Sequence, residues 1–297
     1  MAIEWDEEKI AGFREKLRQA KALPTLPGIV SKLTQMVEDP SVSADRIGRV
    51  IAKDQILSAK LLKLVNSAFY GFPGRISTVS SAVILLGFNV VRSLVLSASI
   101  FEAMEKTVVG LWEHSLGCAA IANVIARRLS INDHEEISTA ALLHDIGKVV
   151  IRENLAGEAV ILDEAILSEN ISLYEAEQRI LKIDHTRIGQ RLCRHWNLPD
   201  RLAEPIAYHH EPSKSANHYV STAIVHVADV LVRARGFGFG GDKWVPALDH
   251  NAWAALTLRE DDLPGLIAEA EEILVELKGF SFEIQNLGEK CPPAVES

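Results

Sequence analysis

The stretch Thr139-Ala140-Ala141-Leu142-Leu143-His144-Asp145-Ile146-Gly147-Lys148 decides how this chain is read. Ala140 to Leu143 are apolar, so the helix they imply is buried. An unpaired carboxylate in such a place costs several kcal/mol. A metal cation removes that cost and uses the imidazole as well. Adjacent His and Asp on a helix diverge by about 100°, so they reach one ion from two sides, or the carboxylate bridges two. Lys148 falls one turn after His144 on the same face, where an ammonium can neutralise a bound phosphate. Imidazole with carboxylate suits zinc, iron, manganese or nickel, and does not favour calcium.

Outward from that stretch the pattern is helical almost throughout. Ile10, Phe13 and Leu17 recur at helical spacing, with acids at Asp6–Glu8 and bases at Lys16, Arg18 and Lys21 suiting the dipole. Leu23-Pro24-Thr25-Leu26-Pro27 breaks the chain, because neither proline continues the helix before it. Further helices are expected over Ile29–Val37, on either side of Asp54, over Ser80–Leu86 and over Asn89–Met104. Tyr70–Gly74 reads as a loop. Ser172-Leu173-Tyr174-Glu175 is a capping box. Asp184 is expected to cap a helix through Trp196, Asp200 the next, and Asp262 with Pro264 a last helix to Lys278. Gly236–Gly241 lacks the features of a phosphate loop and reads as a flexible connector. No strand-like alternation of useful length occurs.

All ten histidines follow Lys106, beginning at His114, which places a boundary near residue 105. The chain is expected to divide into lobes 1–105 and 106–280 and a tail 281–297. Its 297 residues, 48% hydrophobic and 24% charged, exclude low-complexity disorder and allow a sizeable core. A net charge of −9 gives no electrostatic reason to expect nucleic-acid binding. Three cysteines without a Cys-x-x-Cys pair fit reduced thiols in a cytoplasm, and the acidic N-terminus is not a signal peptide. Asn89 and Arg92 interrupt the apolar run from Ser80 to Phe101, so it reads as core helix and not as a membrane span.

The chemistry-bearing set is His114, His144-Asp145, His185, His209-His210 and Asp229. Each lies in or beside an apolar helical segment, which is unusual for groups that prefer water. Singly, each has a plainer explanation. A lone core histidine commonly bonds a carbonyl, Asp229 can cap or pair with an arginine, and His209-His210 can end a helix at the surface. The ordered set, with members on different helices, favours one metal site. His134, His195, His218, His226 and His250 read as structural.

This order resembles the HD superfamily of metal-dependent phosphohydrolases, named for its adjacent His-Asp, and within it the HDOD branch, the HD-related output domain. Leu23–Pro27 looks like that branch's opening motif. Asp54, Leu57, Leu61 and Asn66-Ser67-Ala68-Phe69-Tyr70 look like its next block. Ile76-Ser77-Thr78-Val79, Ala82 to Gly87, Leu111-Trp112-Glu113-His114-Ser115 and Ala141–Lys148 follow in order. The resemblance implies an all-α, two-lobed helical fold with an HD-type helical bundle as the C-terminal lobe. Similarity to the related HD-GYP phosphodiesterases implies one ion on His114, His144, Asp145 and Asp229, and a second shared through Asp145 with His185, His209 and His210. The Gly-Tyr-Pro signature of that group is absent after His209-His210-Glu211-Pro212.

Two functions follow as expectations. The favoured one is a signalling module that holds one or two divalent ions (iron, manganese, zinc or nickel), or a nucleotide-like ligand, and signals to a protein partner. The alternative is a phosphohydrolase or phosphodiesterase acting on a nucleotide-like phosphoester. Two ions roughly 3.5–4 Å apart would there activate the attacking water, with Asp145 and Lys148 as catalytic residues. A metal-free fold with hydrogen-bonded histidines is the plainest reading.

Overall fold

The computed structural model describes residues 6–19, 28–37, 42–66 and 75–275. Among them the regular elements are all helical, and no strand occurs. The Leu23–Pro27 motif, Asp39-Pro40, the Tyr70–Gly74 loop and the 281–297 tail lie outside the described residues.

The first lobe contains α1 (Glu7–Arg18), α2 (Gly28–Val37), α3 (Ala44–Ile51), α4 (Gln55–Val65), α5 (Val79–Leu86) and α6 (Phe88–Thr107). Short polar side chains start most of them. Asp6, Ser43, Asp54 and Thr78 each accept a hydrogen bond from the amide three residues on, and so satisfy a donor the helix leaves free. Asn66 brackets the chain end to end: its amide nitrogen donates to the Ile76 carbonyl at 2.6 Å and its oxygen accepts from the Ile76 amide at 2.9 Å. α6 packs on α2, α4 and α5 on one side and on the second lobe on the other.

The second lobe is built on α7 (Leu111–Arg128), α8 (His134–Leu143), α9 (Ile146–Asn154), α10 (Ala156–Glu169), α11 (Leu173–Ala176), α12 (His185–His195), α13 (Asp200–Tyr208), α14 (Tyr219–Arg235) and α15 (His250–Ala255). A further helix, α16, covers 263–275 of the segment expected to run from Pro264 to Lys278. α7 is buried nearly all round from Leu111 to Ala126, as expected of a central helix. Its small residues let α8 and α14 pack against it.

Three local expectations change. His144-Asp145 does not lie within one helix. α8 ends at Leu143, α9 begins at Ile146, and a tight turn from the Lys148 amide to the Asp145 carbonyl (2.9 Å) opens α9. The break turns both side chains into the space between α7, α12, α13 and α14. Asp200 does not cap α13; it is the first helical residue, because Pro199, extended at φ −66° and ψ 152°, takes the cap position. Gly236–Gly241 is not a free connector. Gly238 (φ +67°) approaches α7 so closely that a Cβ there would fall 2.2 Å from the His114 amide nitrogen. The Phe239 amide donates to the Gly110 carbonyl at 2.9 Å, and Phe237 is buried. The expected capping box at Ser172 and Glu175 is formed, and Asp184 caps α12.

Gly147 sets the approach of α9 to α12. A Cβ at this position would fall 2.0 Å from the His185 carbonyl oxygen, a backbone atom that cannot step aside. Gly147→Ala is therefore expected to destabilise the protein by about 2 kcal/mol or more, the usual cost of overpacking, read as a lower midpoint in urea unfolding.

Candidate metal centre

Five separate pieces of chain deliver the seven residues expected from the sequence to one place. α7 carries His114, the α8–α9 break His144 and Asp145, and the first residue of α12 is His185. His209 and His210 follow directly on α13, and α14 carries Asp229. All except half-buried His210 are buried, with at most 2% of their surface exposed.

Asp145 lies at the middle. Its Oδ2 is 3.2 Å from His144 Nε2 and 3.4 Å from His114 Nε2. Its Oδ1 is 3.4 Å from His185 Nε2 and 3.8 Å from His209 Nε2. Asp229 Oδ1 is 3.2 Å from His114 Nε2 and 3.9 Å from His144 Nε2. His210 Nε2 is 3.2 Å from His185 Nε2. The carboxylate of Asp145 thus offers one oxygen to His114 and His144 and the other to His185 and His209.

The histidines are aimed by their outer nitrogens. His144 Nδ1 is 2.6 Å from the Ala141 carbonyl, and His209 Nδ1 is 3.1 Å from the Ile206 carbonyl. A carbonyl only accepts, so in the neutral rings the Nδ1 atoms carry hydrogen and the Nε2 lone pairs face the centre. His185 Nδ1 is 2.6 Å from Glu177 Oε2, which also accepts the His185 amide at 2.9 Å. Glu177 begins the π-helical turn Glu177–Leu181 and is fully buried.

The donors fit a cation. His144 Nε2, Asp145 Oδ1, His209 Nε2 and Asp229 Oδ1 are buried and have no hydrogen-bond partner among the described residues. The close approach of His114 to Asp229 lacks the alignment of a hydrogen bond at that oxygen. One unsatisfied buried polar atom costs about 1–3 kcal/mol, and four converging on one spot are hard to explain by packing. The donor atoms of His185, His209 and His210 lie within 4.8 Å of one another, as do those of His144, Asp145 and His209, and those of His114, Cys118, His144 and Asp229.

Electrostatics divides the cluster. Burial opposes charge on His114 and His144, but Asp145 and Asp229 outweigh it and raise both imidazoles above their ordinary value. Burial likewise opposes charge on Asp145 and Asp229. It is overcome for Asp145 by His144 and Lys148, and for Asp229 by His114 and Arg233, so both carboxyls fall well below the usual range. On the other side, burial holds His185 and His209 well below 6.5 and lowers His210 to about 4, so these three remain neutral. Lys148 is buried, and its ammonium donates to Asp145 Oδ2 and to the Gly240 carbonyl, each at 2.6 Å.

The centre opens on one side to a cavity of about 680 Å³, bounded among others by Lys148, Tyr174, His185, His210 and Arg233. That volume lies in the range of small-molecule sites. Arg233 is held by Asp242, which also accepts the amides of Leu173 (2.8 Å) and Trp244 (2.7 Å). The glycine-rich strap is thereby pinned across the centre.

Sequence reasoning did not single out Glu177, Cys118, Arg233 or Asp242. Glu177 reaches His185 through a π-helical turn, which helical periodicity does not announce. His226, read as structural, is buried in α14. Its Nδ1 is 2.7 Å from the His209 carbonyl, and its Nε2 accepts the Asp249 amide at 2.9 Å. His195 and His250 are exposed, and His134 and His218 half-buried, away from the centre. Among the described residues no helix is long and apolar enough to cross a membrane.

Comparison with known proteins agrees with this geometry. An uncharacterised protein of Treponema pallidum (strain Nichols) is 27% identical over 203 residues, which is 66% of this chain and 39% of that protein. The chain thus spans about two-fifths of that relative's length. A solved HDOD domain protein of unknown function from Geobacter sulfurreducens superposes with a TM-score of 0.71 at 28% identity, covering 94% of this chain and 98% of the other. A chain from Shewanella amazonensis SB2B, provisionally described as a phosphohydrolase, superposes with a TM-score of 0.66 at 23% identity, covering 93% and 98%, and shares the fold. The family model of the HDOD domain matches residues 23–212, most of the chain. The helical lobes, the His-Asp cluster and this match lead to one conclusion: the chain belongs to the HDOD domain family.

Proposed function

We propose that this chain is a metal-dependent HDOD signalling module, whose buried centre holds one or two divalent ions and whose cavity receives a phosphorylated, nucleotide-like ligand. The observation that carries the reading is Asp145. It presents one oxygen to His114 and His144 and the other to His185 and His209, among four buried donors without partners. His114, His144, Asp145 and Asp229 hold the first ion. Asp145, His185, His209 and His210 hold the second. Iron, manganese, zinc and nickel all suit this nitrogen and oxygen set.

The division at residue 105 belongs to this proposal: lobe 1–105 presents the surface through which a protein partner senses the metal-bearing lobe 106–280. Neither nucleic acid nor membrane is assigned as a partner, and the reduced cysteines suit the cytoplasm. A bound divalent ion supplies Lewis acidity toward a phosphoryl oxygen and acidifies water. The chain's own residues do the rest. Lys148, held between Asp145 and Gly240, places an ammonium at the cavity wall. Arg233, fixed by Asp242, adds a second cation there. Tyr174 donates to Glu211 at 3.1 Å and packs against His210, keeping that ring at the cavity edge.

One observation favours a second reading, hydrolysis of the phosphoester: the cavity reaches His185, His210 and Lys148, so a phosphate can approach the centre. The readings separate on turnover. The signalling module binds phosphorylated ligands without consuming them. Sustained hydrolysis of phosphomonoesters or cyclic nucleotides by iron-, manganese- or zinc-loaded protein, abolished by Asp145→Ala, would replace it with the enzyme.

Protein purified without chelators is expected to contain divalent metal, and Asp145→Ala to lose it, by elemental analysis. Metal binding is expected to release protons. His114 and His144 retain theirs to higher pH than free imidazole, so an entering ion must displace them, and affinity rises with pH. Calorimetry of zinc binding in buffers of different ionisation enthalpy measures that release, and a heat independent of buffer contradicts it. Glu177→Ala removes the acceptor that orients His185 and is expected to weaken metal affinity about 10- to 100-fold, as for other outer partners of ligating histidines.

A further inference from the structure

Cys118 lies one turn after His114 on α7, so both side chains leave the helix on the same face. Its thiol is buried, with Sγ 3.6 Å from His114 Nε2. The donor atoms of His114, Cys118, His144 and Asp229 all lie within 4.8 Å of one another. Two of those atoms, His144 Nε2 and Asp229 Oδ1, are among the buried polar atoms without a hydrogen-bond partner, so the thiol faces donors that themselves call for a cation. First-row ions bond nitrogen and oxygen at about 2.0–2.2 Å and sulfur at about 2.3 Å, which places neighbouring donors roughly 3.3–3.8 Å apart. The separations here are 3.2 Å (His114–Asp229), 3.6 Å (His114–Cys118) and 3.9 Å (His144–Asp229).

Asp145 leaves room for a further donor. Its Oδ2, the oxygen nearest His114 and His144, already accepts from Lys148 at 2.6 Å, whereas Oδ1 on the other side is free of partners among the described residues. We infer that Cys118 is a direct ligand of the first ion, adding sulfur to the nitrogen and oxygen set of His114, His144, Asp145 and Asp229. On binding, the thiol proton goes to solvent and the thiolate sulfur bonds the ion, with no change of oxidation state. A thiolate makes the first position prefer softer ions such as zinc, or cobalt as its spectroscopic stand-in, over manganese and magnesium. The second position, with imidazoles and a carboxylate oxygen, carries a weaker preference of the same sign. The inference rests on the metal-binding reading above.

Cobalt(II) titrated into metal-free protein of residues 1–297 tests both and separates them. Visible ligand-field bands report binding, and a near-ultraviolet thiolate-to-cobalt charge-transfer band reports sulfur. The expected result is both bands in the parent protein and in a Cys193→Ser/Cys291→Ser variant, which keeps Cys118 as its one thiol. Cys118→Ser, with an unchanged circular-dichroism spectrum, is expected to keep the ligand-field bands, lose the charge-transfer band and show a narrower preference for zinc over manganese. Ligand-field bands without charge transfer in the parent protein would overturn the role of Cys118 while leaving the metal centre standing. No cobalt spectrum at all would overturn the centre itself.

Discussion

Two carboxylates, four imidazoles and an ammonium buried together in a helical lobe set the terms for the rest of this structure. Charged groups of this kind are withdrawn from water only when something of opposite sign stands close by. Lys148 answers part of the demand at Asp145 Oδ2. Asp145 Oδ1, Asp229 Oδ1 and the inward nitrogens of His144 and His209 are left without partners among the described residues. A divalent cation satisfies them at once, and the surrounding helices are arranged as though to keep that space.

The supporting features follow from this demand. Glycine at position 147 lets α9 reach the backbone of His185. The break between α8 and α9 frees Asp145 (φ −97°, ψ 8°) from the helical direction, while His144, at φ −54° and ψ −34°, still continues the line of α8. Carbonyls of Ala141 and Ile206 and the carboxylate of Glu177 hold the outer nitrogens of three rings. The strap around Gly238 presses on the backbone of His114, and its Gly240 carbonyl anchors Lys148. The larger cavity meets the open side, so a ligand there approaches the centre past Lys148, His210 and Arg233.

The ligand-like residues were legible in the sequence because polar groups in apolar helical segments stand out, and because the His-Asp pair and the flanking blocks carry a family resemblance. The helical fold was legible from periodicity and from caps such as Asp54, Ser172 and Asp184. Other features depend on contacts between distant segments. Glu177 is one acid among many until a π-helical turn places it against His185. The glycine-rich segment looks like a connector until packing shows glycine there for close approach. The His-Asp break was hidden too, since neither residue is a proline or glycine that would announce a helix end. Cys118 looked like an ordinary core cysteine, because one-turn spacing from His114 is common on any buried helix.

The centre itself is tested most directly by anomalous X-ray scattering from crystals grown with zinc or manganese and measured on both sides of the metal edge. The account predicts a peak beside Asp145, bonded to that carboxylate and to at least two of the surrounding imidazoles. Ordered protein with no anomalous peak between α7, α12, α13 and α14, or with metal found only at the surface, would contradict it.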